Sequence, residues 1–131
     1  MALLPDAEAL LIVALRATPV GPLVGNRIST RLSGTYPAIR ITLLGGPDRA
    51  MESTGQPELQ VECWGNGSGP SDETQALEIA RNVEGFAGSL AGVYGPGRIV
   101  GAYTLGGILH SPDASSGRER YIVQVGLVTQ P

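Results

Sequence analysis

Residues 58–83 read ELQVECWGNGSGPSDETQALEIARNV, and the change of period inside them decides the fold. Up to Trp64 the side chains alternate: Leu59, Val61 and Cys63 on one side, Gln60, Glu62 and Trp64 on the other. Period two is the mark of a strand with one buried face. After the turn the period becomes helical. Ile79, Val83, Phe86 and Leu90 fall on one stripe with Ala76, Ala80 and Ala87 beside it, while Glu78, Arg81, Asn82 and Glu84 make the wet side. Ser71 and Thr74 both suit an N-cap, and Gly92 suits the punctuation after the last turn.

A glycine-rich turn between a strand and a helix raises the question of a phosphate site, because backbone N–H groups at a helix N-terminus hold anions. The residues answer against it. A phosphate loop needs Lys to reach the phosphates and Ser or Thr to hold Mg²⁺. GNGSGPSD has no Lys and places Asp72 and Glu73 where the anion would sit. The dinucleotide fingerprint also fails, since the third glycine is absent and no parallel βαβ unit surrounds the turn.

Working outward, "PDAEALLIVALRATP" predicts a helix over Pro5 to Ala17, with Asp6 and Glu8 at the positive dipole end and Thr18-Pro19 as the stop. Its uninterrupted apolar run, Ala9 to Leu15, is far shorter than the roughly 20 residues of a membrane span. Acidic residues also stand where an export signal would be basic. The helix has little polar face, so it is either deeply buried or covered by a partner. TPVGPLVG reads as a linker. Ile28, Thr30 and Leu32 then alternate with Arg27, Ser29 and Arg31, and Ile39, Ile41 and Leu43 alternate with Ala38, Arg40 and Thr42. Ser33-Gly34 predicts a hairpin between these two strands. GRIVGAYTL and RYIVQVGLV give two further strands, and long loops are expected over Gly45 to Pro57 and Gly106 to Glu119. The expectation is a single domain over 1–131 of α+β class, in the order α-β-β-β-α-β-β. It has an antiparallel sheet of about five strands and two helices packed on one face.

Composition bounds the chemistry. The 131 residues carry a net charge of −3, nine basic and 12 acidic residues, 19 Gly and 10 Pro. That charge gives no general attraction to nucleic acid or to an acidic membrane. All the basic residues are Arg, so no lysine base or Schiff base is available. Cys63, the one cysteine, has no partner for an internal disulfide, and with a single His the chain cannot build a Cys/His metal site. Nothing marks the chain as secreted. Cys63 lies on the apolar side of its strand and reads as a buried, inert thiol. His110, beside Ser111 and Asp113, reads as a solvated loop histidine, because adjacency along a loop does not assemble a triad. No carboxylate pair stands out as an acid/base couple. No catalytic residue, cofactor or metal is expected.

What remains is a contact surface. Arg27, Arg31, Arg40, Glu62 and Trp64 share the non-core side of adjacent strands, which is either a solvated sheet face or a subunit interface. Arg49, His110 and Asp113 lie in the two long loops.

The helix "PDAEALLIVAL", the segment "YPAIRITLLGG", "VECWG" running into "ETQALEIARNV", and a final "PD" loop followed by "RYIVQVGLV" together resemble, over nearly the whole chain, the tail terminator proteins of long-tailed bacteriophages, a family similar to the terminator of phage lambda and to minor tail proteins of actinobacterial phages. The resemblance implies a virion protein without enzymatic activity. It would be assembled in the host cytoplasm as a ring, usually a hexamer, at the head-proximal end of the tail tube. Such a ring ends polymerisation of the tube protein and offers a surface for head-tail joining to the connector or neck proteins. DNA would only pass through the lumen, and neither a membrane nor a small-molecule substrate is implied. By element, Arg27, Arg31, Arg40, Glu62 and Trp64 would be interface or lumen residues, and Arg49, His110 and Asp113 would sit in docking loops. The alternatives are a neck or head-completion adaptor, a small ligand-binding domain using the glycine-rich turn, and a minor enzyme with His110 as base.

Overall fold

The computed structural model describes residues 4–45, 54–67 and 71–131. Helix α1 (Ala7–Arg16) starts at Asp6, whose carboxylate accepts hydrogen bonds from the backbone N–H groups of Glu8 and Ala9 at 3.0 and 3.3 Å. These satisfy two of the first-turn donors that no intrahelical carbonyl reaches. Leu10, Leu11, Ala14 and Leu15 are fully buried, whereas Val13 is exposed, so the helix covers the core with one side only. The expected linker contains a short helix α2 (Val20–Leu23), held because the Thr18 hydroxyl donates to the Leu15 carbonyl and accepts from the Val20 N–H. Gly21 is obligatory there: a Cβ would lie 2.7 Å from the Arg16 carbonyl oxygen.

Six strands follow in the order β1-β2-β3-β6-β5-β4 across one sheet that curls into a half-barrel: β1 (Ile28–Ser29), β2 (Ala38–Gly45), β3 (Glu58–Trp64), β4 (Gly92–Tyr94), β5 (Gly97–His110) and β6 (Arg120–Gln130), with α3 (Ser71–Ala87) between β3 and β4. This corrects the expected antiparallel sheet of about five strands with two helices on one face. The sheet is mixed, it has a sixth strand, and a third helix is present. Three local causes explain the difference. First, Ser33-Gly34 does not make a hairpin. Ile28 pairs in parallel with Ile39, sealed by the Ile39 N–H donating to the Arg27 carbonyl at 2.9 Å, and Thr30 is already exposed. Second, the residues after α3 turn back as β4, which pairs Tyr94 with Gly97 across a two-residue turn. Third, Gly106-Gly107 is a bulge rather than the start of a loop. Gly106 adopts φ +72°, and pairing resumes with Leu109 opposite Ile122 and His110 opposite Tyr121.

Two expectations hold. Leu59, Val61 and Cys63 are fully buried, with Ile39 and Ile41 on one flank and Val123, Val125 and Leu127 on the other. Ile79, Ala80 and Val83 of α3 close the same core. Each fully buried Leu, Ile or Val contributes about 1.5–3 kcal/mol by leaving water. Burial, followed by the negative charge of Glu62, pushes the Cys63 thiol far above its ordinary range, which keeps it protonated and unreactive. The 45–57 loop, including Arg49, lies largely outside the described residues.

Candidate functional site

On the side of β2, β3 and β6 opposite the helices, register stacks the polar residues into rows. Arg40 faces Glu62, which faces Ile122; Ala38 faces Trp64, which faces Arg120. Glu62 is only 3% exposed. Its Oε2 accepts from Arg40 Nε at 2.7 Å and lies 2.6 Å from Nη2, while its Oε1 accepts from Gln60 Nε2 at 2.9 Å. Arg120 Nη1 stands 3.8 Å from the same Oε1. A buried carboxylate is tolerated only when its charge and lone pairs are met in this way.

Beyond Glu62 the row continues into aromatic rings. The Arg120 guanidinium lies over the Trp64 ring at 5.3 Å and is fixed by donating to the Ser111 carbonyl and hydroxyl. Tyr36 tilts against Trp64, with ring centres 6.1 Å apart, and Arg118 lies over Tyr36 at 3.9 Å. A guanidinium adds planar stacking to the cation–π attraction that any cation has for a ring face. The row thus runs from Arg118 over the adjacent Tyr36 and Trp64 rings to Arg120, and through the Glu62 carboxylate to Arg40.

The residues singled out in the sequence divide on inspection. Arg40, Glu62 and Trp64 are brought together in this row. Trp64 is 3% exposed, so it is a packed residue of the folded chain, not the open contact that its strand position suggested. Its indole N–H has no hydrogen-bond partner among the described residues. Arg27 is diverted: its Nε donates to the Pro37 carbonyl at 2.8 Å and braces the β1–β2 connection. Arg31 is exposed in the irregular segment after β1. Asp113 folds its own turn, accepting from Ser115 and Ser116 hydroxyls and from the Ser116 N–H. The hydroxyls of Ser116 and Ser115 hold its carboxyl below the usual range, so this support is present above that range and is lost as pH falls through the lowered value. His110 is the last residue of β5 instead of a loop residue, and it stacks on Tyr121.

Sequence reasoning missed Tyr36, Arg118 and Arg120. Arg120 was within reach, because it shares the period-two side of Ile122 and Gln124, but its neighbours depend on a strand order that no spacing reveals. Asp72 was read correctly as an anion at the helix end. It is buried and accepts the Gly67 N–H at 2.8 Å and the Glu119 N–H at 3.1 Å, so a protein carboxylate occupies the cradle that a phosphate would need. A surface depression of about 380 Å³ beside it is lined by Gly67, Asp72, Ser116, Gly117, Arg118 and Glu119.

The sheet also carries open edges. Among the described residues no strand pairs with the outer side of β5 beyond Ile99, and Val100 to Leu109 contain no charge and no proline. Val100, Tyr103 and Leu109 are exposed there. The Tyr103 ring rests where Gly126 has no side chain; a Cβ on Gly126 would come within 2.4 Å of it. At the opposite end, β2 runs past β1, with Leu43 and Leu44 exposed and the Leu43 N–H taken by the Glu8 carboxylate.

No protein-family model matches the chain, and no curated relative matches it. Among solved structures, a chain described as belonging to the virion of a native gene transfer agent (GTA) particle superposes with a TM-score of 0.65 at 17% identity, over 95% of this chain and 95% of that one. At that level of identity the two chains share a fold, end to end, and the fold is one found in a phage-like virion particle.

Proposed function

We propose that this chain is a virion structural protein of a phage-like particle, acting as a ring at the head-proximal end of the tail, where it stops growth of the tube and presents the surface for head-tail joining. The observation that carries the reading is the end-to-end likeness to a virion chain, with the tail-terminator resemblance of the sequence beside it. The two open edges fit assembly. They lie at unlike ends of one sheet, so pairing β5 of one copy with β2 of the next would make a head-to-tail contact, the kind that closes into rings. Uncharged open edges such as that of β5 are rare in monomers because they recruit strands, whereas on β2 an incoming strand would have to displace the Glu8 carboxylate from the Leu43 N–H. In this reading Arg31, Arg40 and the Glu62 row face a neighbour or the lumen, the 111–119 loop reaches the tube or the connector, and the chain is a single structural domain without catalysis.

Electron microscopy of particles made without the encoding gene tests the function. Tails of variable, excessive length that fail to join heads are expected. Tails of normal length with a defect confined to the neck would replace the terminator reading with an adaptor, and unaffected particles would remove both. The edge contact has its own test. Leu44→Lys and Val100→Lys place a charge on exposed edge positions, so each should lower ring assembly seen by native mass spectrometry while the melting temperature stays within about 2 °C, as for surface substitutions in general. Unchanged assembly in both variants would exclude strand pairing as the ring contact.

A further inference from the structure

The end of β5, the residue before β6 and the first turn of α3 meet at one point on the surface, and their side chains are a donor set. His110, Glu73 and Glu119 each offer one ligand atom, all within 4.8 Å of one another. His110 Nε2 is 2.5 Å from Glu119 Oε2. A tetrahedral ion with ligands at about 2.0–2.2 Å separates them by roughly 3.4 Å, so His110 and Glu119 must part by about 1 Å to admit one, within reach of rotations of these exposed or half-exposed side chains.

Two of the three ligands are oriented by the same buried residue. The imidazole stacks on the Tyr121 ring at 4.6 Å with 16° between planes, which leaves its Nε2 edge directed at the carboxylates. The Tyr121 hydroxyl donates to Glu73 Oε1 at 2.9 Å. Metal ligands are commonly held in this way by a second residue that fixes their orientation. The bond to Glu73 favours the neutral phenol, and burial followed by that bond pushes the Tyr121 hydroxyl above its ordinary range.

We propose that Glu73, His110 and Glu119 form a surface site for a borderline first-row divalent cation such as Zn²⁺ or Co²⁺, with Tyr121 as the positioning residue. One imidazole and two carboxylates suit those ions, whereas Ca²⁺ takes six to eight oxygens and Mg²⁺ keeps its waters around an oxygen shell. Three protein ligands leave a coordination position for water. The ion would tie α3 to both ends of the segment 111–118, a cross-link that the sequence conceals because its ligands are separated by 37 and 9 positions.

The test is a titration of the full chain with Co²⁺ alone, read by its visible absorption bands and by calorimetry. Wild-type protein should bind one ion saturably. His110→Gln and Glu119→Gln, both at the surface, should each abolish the saturable phase, and Tyr121→Phe should weaken it roughly ten- to a hundredfold, the usual effect of losing an orienting partner. Glu84→Ala, an exposed carboxylate of α3 outside the cluster, should bind as wild type. Binding that is weak and non-saturating, that survives His110→Gln, or that falls equally in Glu84→Ala would overturn the site. Near-native far-ultraviolet spectra for the variants separate loss of ligands from loss of fold.

Discussion

Asp72→Ala should unfold at a markedly lower temperature than the wild type. The Asp72 carboxylate is buried and receives backbone N–H groups from two segments far apart in sequence, Gly67 in the glycine-rich turn and Glu119 in the loop before β6. Hydrogen bonds to charged groups contribute about 1.5–3 kcal/mol each, and removing the acceptor leaves both donors unsatisfied beside a small cavity. A net loss of about 2–4 kcal/mol is expected once some water enters, which for a chain of this size is a drop of roughly 10 °C. Hydrogen exchange should localise the damage, with the amides of Gly67 and Glu119 losing protection before the strands of the core do. Asp72→Asn keeps one acceptor and should fall between the two. A melting temperature within a degree or two of wild type would show that the turn is held by something other than this carboxylate.

The second large effect is expected at Trp64. Truncation to Ala removes the largest ring of the open side, takes the support from Tyr36 and Arg120, and should cost about 3–5 kcal/mol. Trp64→Phe should behave quite differently. It retains most of the ring and deletes an indole N–H that has no partner among the described residues, so its cost should stay within about 1.5 kcal/mol. Chemical denaturation of the two variants gives the comparison. Equal destabilisation would mean that the part of the indole that Phe lacks, its five-membered ring and N–H, carries the support of the row from Arg118 to Arg40. The same burial makes Trp64→Ala a poor probe of assembly, because a folding defect would precede any effect at an interface.

Particular residues show what could be read from sequence. The stripes of β3 and α3 were legible because both have one strongly apolar side, and the side that is buried follows from period alone. Asp6 and Asp72 were legible as helix-end anions because their role is local. Strand partners were not. Ile28 was correctly seen as a core residue, yet its pairing in parallel with Ile39 depends on the path of residues 30–37, where the alternation read through Leu32 does not continue as a strand. The Gly106-Gly107 bulge was misread as loop because glycine pairs punctuate both, and only the resumption of pairing at Leu109 separates them. The shared side of Arg40, Glu62 and Trp64 was legible from period, but the extension of the row to Tyr36, Arg118 and Arg120 and the Glu73, His110 and Glu119 cluster depend on three-dimensional order that no spacing along the chain reveals. Arg27 shows the converse, since a plausible surface arginine is occupied inside its own subunit.

The free edge of β5 has a further consequence in its length. Register slips between Ile99 and Gly101 and again between Leu105 and Leu109, so only Gly101 to Leu105 form an uninterrupted ladder. Fibrils grow from segments of six or seven residues that are flat and regular at both faces. Five residues between two kinks offer enough backbone to seat one incoming strand but too little to seed a stack. In the proposed assembly the chain can therefore leave an uncharged edge exposed before its partner arrives, without inviting the open-ended polymerisation that a straight edge of the same composition would risk.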